Sequence, residues 1–246
     1  MQYLIKSLHA IIALTKAVVI PETMEELNMY KDIGIFVPAR LGSHRLPNKQ
    51  ILPIGDTCMF DICCQKLQYI ATTYGISTYV LICDEPLITI ANKYPNVVIK
   101  YREVETVEAE GPLQFIYKDI LDVPEKYLMF LNPCLTFLSV ETIIKSINTF
   151  LSSGKDYGTS VKPFKNWLWN DNHAAVNYID YKRLTTKEIT PWWQAAHCFH
   201  VFNKDKFQQD GYMLNSDLCL LDIPAEETFD IDTLEEYNYV KWKWEH

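Results

Sequence analysis

Short β-branched runs alternate with helical stretches along most of the chain downstream of residue 32. This alternation is the pattern of a sheet that is covered by helices on both faces. The predicted strands of the first part are 33–38, 77–84, 96–101 and 127–133. The predicted helices between and after them are 59–75, 86–95, 112–121 and 139–154. The pattern therefore predicts an α/β fold whose first half is a regular nucleotide-binding type of unit.

The second half is less regular in its hydrophobic pattern. Strand candidates are 157–164, 196–203 and 217–224, and 233–246 reads as a final helix. The aromatic-rich stretch 166–184 is typical of a strand pair or of an excursion from the sheet. With no internal repeat and no low-complexity linker, one domain over 33–246 is the simplest interpretation, with an excursion at about 163–195.

Residues 1–32 are predicted to be an N-terminal helical extension. Apolar positions in 2–19 recur at helical spacing, and Pro21 ends the pattern. The apolar run is too short to span a bilayer, and Lys16 interrupts it before any cleavage-like pattern. A capping-box sequence at 23–26 predicts a second short helix before the first strand. We therefore expect neither a signal peptide nor a membrane anchor here.

Composition narrows the classes of partner. The formal net charge of -8 argues against nucleic acid, whose binding proteins carry a basic stripe that neutralises several phosphates. The seven cysteines are odd in number and lack both CxxC and zinc spacing. They fit buried, reduced thiols in a cytoplasmic protein.

One local stretch departs from this acidic balance. "VPARLGSHRLPNKQ", residues 37–50, carries Arg40, Arg45 and Lys49, with no carboxylate between Asp32 and Asp56. It follows the first predicted strand, at the sheet edge where α/β proteins bind ligands. Neither a P-loop nor a GxGxxG motif is present. The stretch predicts a site for a small anion, although solvated surface cations would give the same composition.

The stretch 37–51 closely resembles the first loop of the sugar-activating cytidylyltransferases, which include the CMP-sialic acid synthetases (acylneuraminate cytidylyltransferases) and the CMP-Kdo synthetases. The resemblance implies a three-layer, Rossmann-like nucleotidyltransferase fold with a mainly parallel central sheet, and a homodimer built through the excursion. It implies that the loop holds the triphosphate of CTP, chiefly through Arg40, Ser43, Arg45 and Lys49. The full predicted nucleotide-binding set is Arg40, Leu41, Gly42, Ser43, Arg45, Lys49, Asp84 and Asn132. For Asp84, a turn-forming role at a strand end is the alternative.

A second stretch, "DIPAEETFDIDTLEEYNYV" at 222–240, looks like the late metal motif of the same family. In an extended strand Asp230 and Asp232 would face one side, about 6–7 Å apart along the backbone. Two carboxylates together with substrate phosphates are a common magnesium site, so Mg²⁺ is the predicted cofactor. The alternative is that these residues cap the last helix, with Thr233 or Asp232 at the cap position. The predicted catalytic residues are Lys49, Arg45 and Asp232.

The departures from the family pattern gather on the acceptor side. The stretch after Pro133 reads "CLTFL" and lacks the family's arginine, and 196–203 lacks its Asn-Gly pair. Gln194 is the only polar residue we can align in the stretch before it, and it is the predicted substrate contact. His197 and His200, at i and i+3 of a predicted strand, should lie on opposite faces. For the tryptophans we expect core or interface packing, with an aromatic wall around a sugar as the alternative; they are Trp167, Trp169, Trp192 and Trp193.

The leading hypothesis is an enzyme, a Mg²⁺-dependent cytidylyltransferase that transfers CMP from CTP to an acidic, sialic-acid-like sugar and releases pyrophosphate. A second hypothesis keeps the chemistry and changes the acceptor to Kdo or another small molecule. A third is a non-catalytic relative that binds nucleotide or a protein partner. A glycosyltransferase of similar fold is the remaining alternative.

Overall fold

The central element is a mixed sheet of seven strands, in a computed structural model that describes residues 28–107, 111–177, 185–187 and 190–246. The sheet strands in chain order are β1 Ile33–Pro38, β4 Ser77–Ile82, β5 Val97–Tyr101, β6 Tyr127–Leu131, β7 Tyr157–Phe164, β8 Trp192–Asn203 and β9 Leu218–Asp222. A small hairpin consists of β2 Pro53–Ile54 and β3 Thr57–Cys58. The helices are α1 Met59–Tyr74, α2 Glu85–Ala91, α3 Val104–Val107, α4 Leu113–Ile116, α5 Val140–Ser153, α6 Lys204–Asp210 and α7 Leu234–Glu245.

The strand order across the sheet is β5-β4-β1-β6-β8-β7-β9. Strands β5, β4, β1 and β6 pair in parallel, while β8 is antiparallel to both of its neighbours, β6 and β7. Because β7 and β9 pair in parallel, β8 alone runs against the other six strands of this sheet. The predicted α/β fold with a mainly parallel sheet is confirmed.

Helices pack on both faces of the sheet, and the parallel strands are therefore buried on both sides. One face carries a core that includes Leu67 of α1, Leu87 of α2 and Ile143 of α5. The other face packs Phe36 and Phe202 against Ile120 and against Phe207 of α6. Alternate residues of β1, β4 and β6 thus enter different cores, which produces three layers.

The helix ends follow local sequence signals. The side chain of Ser139 accepts a hydrogen bond from the amide of Thr142 and caps α5. Gly75 and Gly154 end α1 and α5 with positive φ angles of 67° and 65°, which favour glycine. The predicted helix 112–121 is instead two short pieces, α4 and a 3₁₀ turn at Lys118–Ile120.

Little of the predicted N-terminal extension can be compared with the structure. The helix predicted over 2–19 and the capping box at 23–26 lie outside the described residues, and a 3₁₀ turn at Tyr30–Asp32 leads into β1. In the described part of the predicted excursion, Trp169 and Ala175 form an antiparallel bridge. The division into an extension and one domain stays a prediction. None of the described helices is long and apolar enough to cross a membrane.

A bulge interrupts β8 where it passes Ser160 of β7. Thr159 pairs with His200 and Val161 pairs with Ala195, so the four residues 196–199 of β8 lie opposite Ser160 alone. The Ser160 hydroxyl fills this gap: it accepts hydrogen bonds from the amides of Cys198 (2.9 Å) and Phe199 (3.1 Å). It also donates to the carbonyl of Phe199 at 3.1 Å.

The bulge makes the strand-based prediction for the two histidines wrong. His197 has a left-handed backbone with φ of 52°, which breaks the alternation of sides along β8. The rings of His197 and His200 therefore lie near each other, with centroids 6.1 Å apart and an interplanar angle of 73°.

The left-handed conformation of His197 has a testable cost. We expect His197→Gly to be more stable than His197→Ala by about 1 kcal/mol, because glycine adopts positive φ without steric penalty and alanine does not. Both variants remove the imidazole, so their difference isolates the backbone term. The free energies of unfolding from urea titrations would measure it. Equal stability, or a more stable alanine variant, would contradict the assigned backbone conformation.

Candidate active site

The carboxyl ends of the parallel strands border an open cavity of about 590 Å³. The loop after β1 forms one wall, and residues that follow β5 and β6 form others. The segment between β9 and α7 contributes Asp230 and Asp232 to the lining. Seven of the predicted site residues line this cavity: Arg40, Ser43, Arg45, Lys49, Asn132, Asp230 and Asp232. The topology thus brings together two motifs that are far apart in the sequence.

Arg45 and Lys49 are paired with a carboxylate in this structure, contrary to the expectation that the loop's cations lack an acidic partner. Asp232 accepts from Lys49 Nζ through Oδ1 and from Arg45 Nη1 through Oδ2, both at 2.8 Å. The local sequence could not reveal this partner, which lies 183 residues beyond Lys49. The correction changes the chemistry of the site, because a ligand anion has to compete with Asp232 for both cations.

Lys49 is the more enclosed of these two cations. Its side chain is 13% exposed, whereas that of Arg45 is 67% exposed. Besides Asp232, the ammonium donates to the carbonyl of Ile231 at 2.8 Å. Burial works against the charged form, but Cys134 and Asp232 outweigh it and raise the pKa of Lys49 above its ordinary value. Lys49 is therefore a fixed positive charge at neutral pH.

The rest of the loop is a tight turn held by its own backbone. The amides of Ser43 and Asn48 both donate to the carbonyl of Leu41, at 2.8 and 3.1 Å. Ser43 Oγ accepts from the amide of Leu46 at 3.4 Å. Arg40 reaches across the cavity mouth and donates to the carbonyl of Val107 at 2.6 Å. These bonds fix where Arg40, Ser43 and Arg45 stand relative to the cavity.

Two of the predicted nucleotide contacts have structural explanations of different kinds. Asp84 Oδ2 accepts from the amide of Leu41 at 3.1 Å, so this carboxylate holds the loop in place. Asp84 does not line the cavity. Its backbone carbonyl accepts the first hydrogen bonds of α2. A β-carbon added at Gly42 would meet no atom within 4 Å, so packing in the free protein does not require glycine there. The role of Gly42 in nucleotide binding stays a prediction.

The two carboxylates of the late motif face the cavity, although their segment is not a strand. Ile231 between them is fully buried in a small core with Leu46, Ile54 and Tyr237, so its neighbours on either side point away from that core. Thr233, one of the two predicted cap residues, is the N-cap of α7 in a capping box with Glu236. Asp230 and Asp232 are consequently left for other partners.

Asp230 satisfies a simple test for a cation ligand. Its Oδ1 is buried and has no hydrogen-bond partner in the structure. Burial, followed by the negative charge of Asp232, raises the pKa of Asp230 above its ordinary value. A buried carboxylate oxygen without a partner is costly unless a cation or a proton satisfies it. Among the described residues no group of three or more acidic, histidine or cysteine side chains could hold a metal. The two carboxylates alone are thus an incomplete ligand set, which is compatible with Mg²⁺ because this ion also takes phosphate and water oxygens.

The opposite wall of the cavity contains residues that the sequence analysis did not select. Arg102, Tyr117 and Phe130 line it, with the Arg102 guanidinium 5.9 Å from the Tyr117 ring centroid. Arg102 is 8% exposed and donates to the carbonyl and hydroxyl of Thr106, at 2.6 and 3.2 Å. The sequence feature that could have identified Arg102 is its position directly after a predicted strand. This position places it at the same sheet edge as residues 39–50, the cationic loop.

A buried lysine and a glutamate hold the loop after β6 from two sides. Lys66 of α1 is buried and donates to the carbonyls of Leu135 (3.3 Å) and Thr136 (2.8 Å). Glu227, just before the acidic segment, accepts from the amide (2.8 Å) and hydroxyl (3.1 Å) of Ser139. The segment that contains Asn132 and Cys134 is thereby fixed against both α1 and the late motif.

Residues predicted on the acceptor side do not line the cavity. Gln194 is exposed on β8 opposite Lys162. Trp169, Trp192 and Trp193 are also exposed, so core packing is wrong for these three. Their interface and sugar-binding interpretations stay predictions.

The fold and the cavity together define an α/β protein with cations and carboxylates at the carboxyl edge of its mainly parallel sheet. Residues 34–106 match the family model described as cytidylyltransferase. The match contains β1, the cationic loop, β4 and β5. No curated protein is matched in a comparison of the sequence.

Solved structures of nucleotide-related synthetases and of a cytidylyltransferase share the fold over most of both chains. A CMP:2-keto-3-deoxy-manno-octonic acid synthetase complexed with CTP has a TM-score of 0.61 at 14% identity, covering 86% of this chain and 98% of its own. A 4-diphosphocytidyl-2C-methyl-D-erythritol synthase from Anaerococcus prevotii gives 0.58 at 14% identity, with coverages of 88% and 99%. A cytidylyltransferase from Leptospira borgpetersenii gives 0.55 at 17% identity, with 85% of each chain.

Burial of Lys66 predicts a pH-dependent stability. Burial lowers its pKa from 10.5 to about 8, so between these values the unfolded chain binds more protons than the folded one. The stability of the wild type relative to Lys66→Met should therefore rise as pH increases from about 8 to about 10.5, by on the order of 1–3 kcal/mol. Urea unfolding of both proteins across this range would measure the difference. A difference that is independent of pH would contradict the assignment of Lys66 as a buried ammonium.

Competition between Asp232 and anions predicts an unusual gain of binding. Without metal, Asp232→Asn should bind inorganic pyrophosphate about tenfold more tightly than the wild type, because it frees two cations and removes a repelling charge. Calorimetry in a chelating buffer of low ionic strength measures this. Asp205→Asn, which removes an exposed carboxylate at the other edge of the sheet, should leave the affinity unchanged. Weaker pyrophosphate binding by Asp232→Asn would show that the cations do not serve as an anion site.

Proposed function

We propose that the protein is a Mg²⁺-dependent cytidylyltransferase that transfers CMP from CTP to an acidic, sialic-acid-like sugar and releases pyrophosphate. The observation that carries this proposal is the meeting of the cationic loop and the acidic pair across one cavity, through Arg45, Lys49 and Asp232. The family-model match includes the cationic loop, which forms one wall of that cavity. A synthetase with a similar fold was solved in complex with CTP.

In this proposal the loop binds the triphosphate. Lys49 is enclosed at the cavity wall and would offer the phosphate oxygens a charge in a fixed position. Arg45 is largely exposed, so its side chain could adjust to the phosphates. Ser43 and the open backbone at Gly42 offer hydrogen-bond donors to the same group. Arg40 would reach the phosphates from the mouth of the cavity.

Asp230 and Asp232 would hold the Mg²⁺ ion. When bound, Mg²⁺ supplies neutralisation of phosphate charge and lowers the pKa of a coordinated hydroxyl. If Asp232 gave up its contacts with Lys49 and Arg45 to serve as a ligand, both cations would be released for the phosphates. This exchange of partners would free the two cations for the phosphates and the carboxylate of Asp232 for the metal at the same time.

The reaction is a displacement at the α-phosphorus of CTP. The acceptor hydroxyl oxygen forms a bond to this phosphorus and releases its proton to solvent, while the bond to the bridging oxygen breaks and pyrophosphate leaves with that oxygen. Lys49 and Arg45 stabilise the charge that builds on the departing pyrophosphate. The described residues contribute position and charge, which supply most of the catalysis in phosphoryl transfer.

Two alternatives have support of their own. Transfer to Kdo or another small acceptor is favoured by the fold similarity to a synthetase that is named for such a sugar. A nucleotide-binding relative without turnover is favoured by Gln194, which stands outside the cavity in this structure. We further propose a homodimer in the cytoplasm; all seven cysteines are free thiols, six of them buried.

An acceptor panel with CTP and Mg²⁺ tests the proposal. We expect pyrophosphate release that requires CTP, Mg²⁺ and an acidic nonulosonate sugar, and that falls at least about 100-fold in Lys49→Ala and Asp232→Asn. Lys145→Ala, which removes an exposed cation from α5, should keep the wild-type rate. Release with Kdo alone would favour the second acceptor class. CTP binding without release on any acceptor would favour the non-catalytic relative, and normal turnover in both site variants would refute the mechanism.

A further inference from the structure

Asn132 stands at the end of β6, where three segments of the site meet. Its side-chain Nδ2 donates to Asp230 Oδ2 at 3.1 Å and to the carbonyl of His197 at 3.2 Å. Its Oδ1 accepts from the amide of Cys134 at 3.0 Å. A side-chain amide has two N–H donors, so both donors of Asn132 are already in use. A nucleotide would find only one acceptor lone pair at this residue.

The partners of Asn132 place a constraint on Asp230. The acidic segment is not part of the sheet, and two hydrogen bonds tie it to the turn after β6. One is the bond from Asn132 to Asp230, and the other runs from the amide of Ile231 to the carbonyl of Cys134 at 3.3 Å. With Oδ2 held by Asn132, Oδ1 is the oxygen that remains without a partner. The side-chain amide of Asn132 therefore determines which carboxylate oxygen of Asp230 remains without a partner.

The same residue connects the acidic segment to the bulge of β8. The backbone amide of Asn132 donates to the carbonyl of Cys198 at 3.0 Å, next to the side-chain bond to His197. The left-handed backbone at His197 presents two successive carbonyls, those of His197 and Cys198, to one residue. Ser160 fixes the bulge from the other side. The bulge thus holds the Asn132 amide in the orientation that reaches Asp230.

We propose that Asn132 is a positioning residue for the carboxylate of Asp230, which it orients for a divalent cation, and that it is not a contact of the nucleotide. The inference rests on the proposed function, because it assigns a role within the proposed metal site. It revises the sequence-based prediction that placed Asn132 among the nucleotide-binding residues. Residues that orient a metal ligand in this way typically change metal affinity about 10–100-fold when they are replaced.

The test measures metal binding and nucleotide binding separately on the full chain. Mn²⁺ serves as the probe, with free and bound ion distinguished by electron paramagnetic resonance, and CTP binding is measured by calorimetry in a chelating buffer. In Asn132→Ala we expect Mn²⁺ affinity to fall about 10–100-fold and metal-free CTP affinity to stay within about threefold of the wild type. A merely structural role would not separate these two quantities.

Asn148→Ala is a matched control. Asn148 accepts a hydrogen bond from the Tyr30 hydroxyl at 2.9 Å, on the side of the fold where β1 begins. This variant also loses an asparagine side chain, and its Mn²⁺ affinity should equal that of the wild type. If Asn132→Ala does not fold, Asn132→Ser is measured instead: its hydroxyl can still accept from Cys134 but is too short to reach Asp230, so the same loss is expected.

The outcomes separate this inference from the proposed function. Unchanged Mn²⁺ affinity in the Asn132 variant, or a parallel loss of metal-free CTP affinity, would overturn the positioning role and leave the cytidylyltransferase proposal standing. A wild type that binds neither Mn²⁺ nor CTP would overturn both. Loss of Mn²⁺ affinity alone supports the positioning role even if no acceptor is turned over.

Discussion

The ion pairs of Asp232 with Lys49 and Arg45 connect the two halves of this molecule. They join the loop after the first strand to the segment before the last helix, across 183 residues of sequence. Beneath them, a small core of Leu46, Ile54, Ile231 and Tyr237 packs the same two segments together without charge. The apolar contacts supply the attachment, and the ion pairs set the spacing between cations and carboxylates. Every feature of the cavity that we interpret as chemistry depends on that spacing.

The pairing also explains how the site remains stable without ligands. A cavity that collects Arg40, Arg45 and Lys49 on one wall would repel itself if no carboxylate were near, and the acidic pair has the same difficulty. Each group partly neutralises the other in the free protein. Asp230 is the exception, since one of its oxygens is buried without a partner and its pKa is raised. Among the described residues that line the cavity, the oxygens buried without a partner are Asp230 Oδ1 and Gln50 Oε1. Both are hydrogen-bond acceptors, and the carboxylate oxygen is the one that a cation would satisfy best.

Much of this arrangement follows from the sequence, and the failures have specific physical causes. Continuous apolar runs predicted the parallel strands, because strands buried on both faces leave an unbroken apolar signal. The partner of Lys49 could not be predicted, because pairing between distant charges depends on topology and not on local pattern. The histidine prediction failed because strand alternation holds only in regular strands, and Ser160 on another strand stabilises the bulge. Asn132 was predicted as a nucleotide contact from the family resemblance, whereas its hydrogen bonds to Asp230 and His197, on which the proposed positioning role rests, are visible only in three dimensions.

The central claim is that Asp232 exchanges Lys49 and Arg45 for a metal ion when the nucleotide binds. A crystal structure with CTP and Mg²⁺ tests it most directly. The account predicts that the triphosphate contacts Lys49 and Arg45, and that Asp230 Oδ1 and a carboxylate oxygen of Asp232 coordinate the metal. In that complex the separations between Asp232 and the two cations should exceed their present 2.8 Å. A complex in which these ion pairs remain closed and CTP lies elsewhere would contradict it.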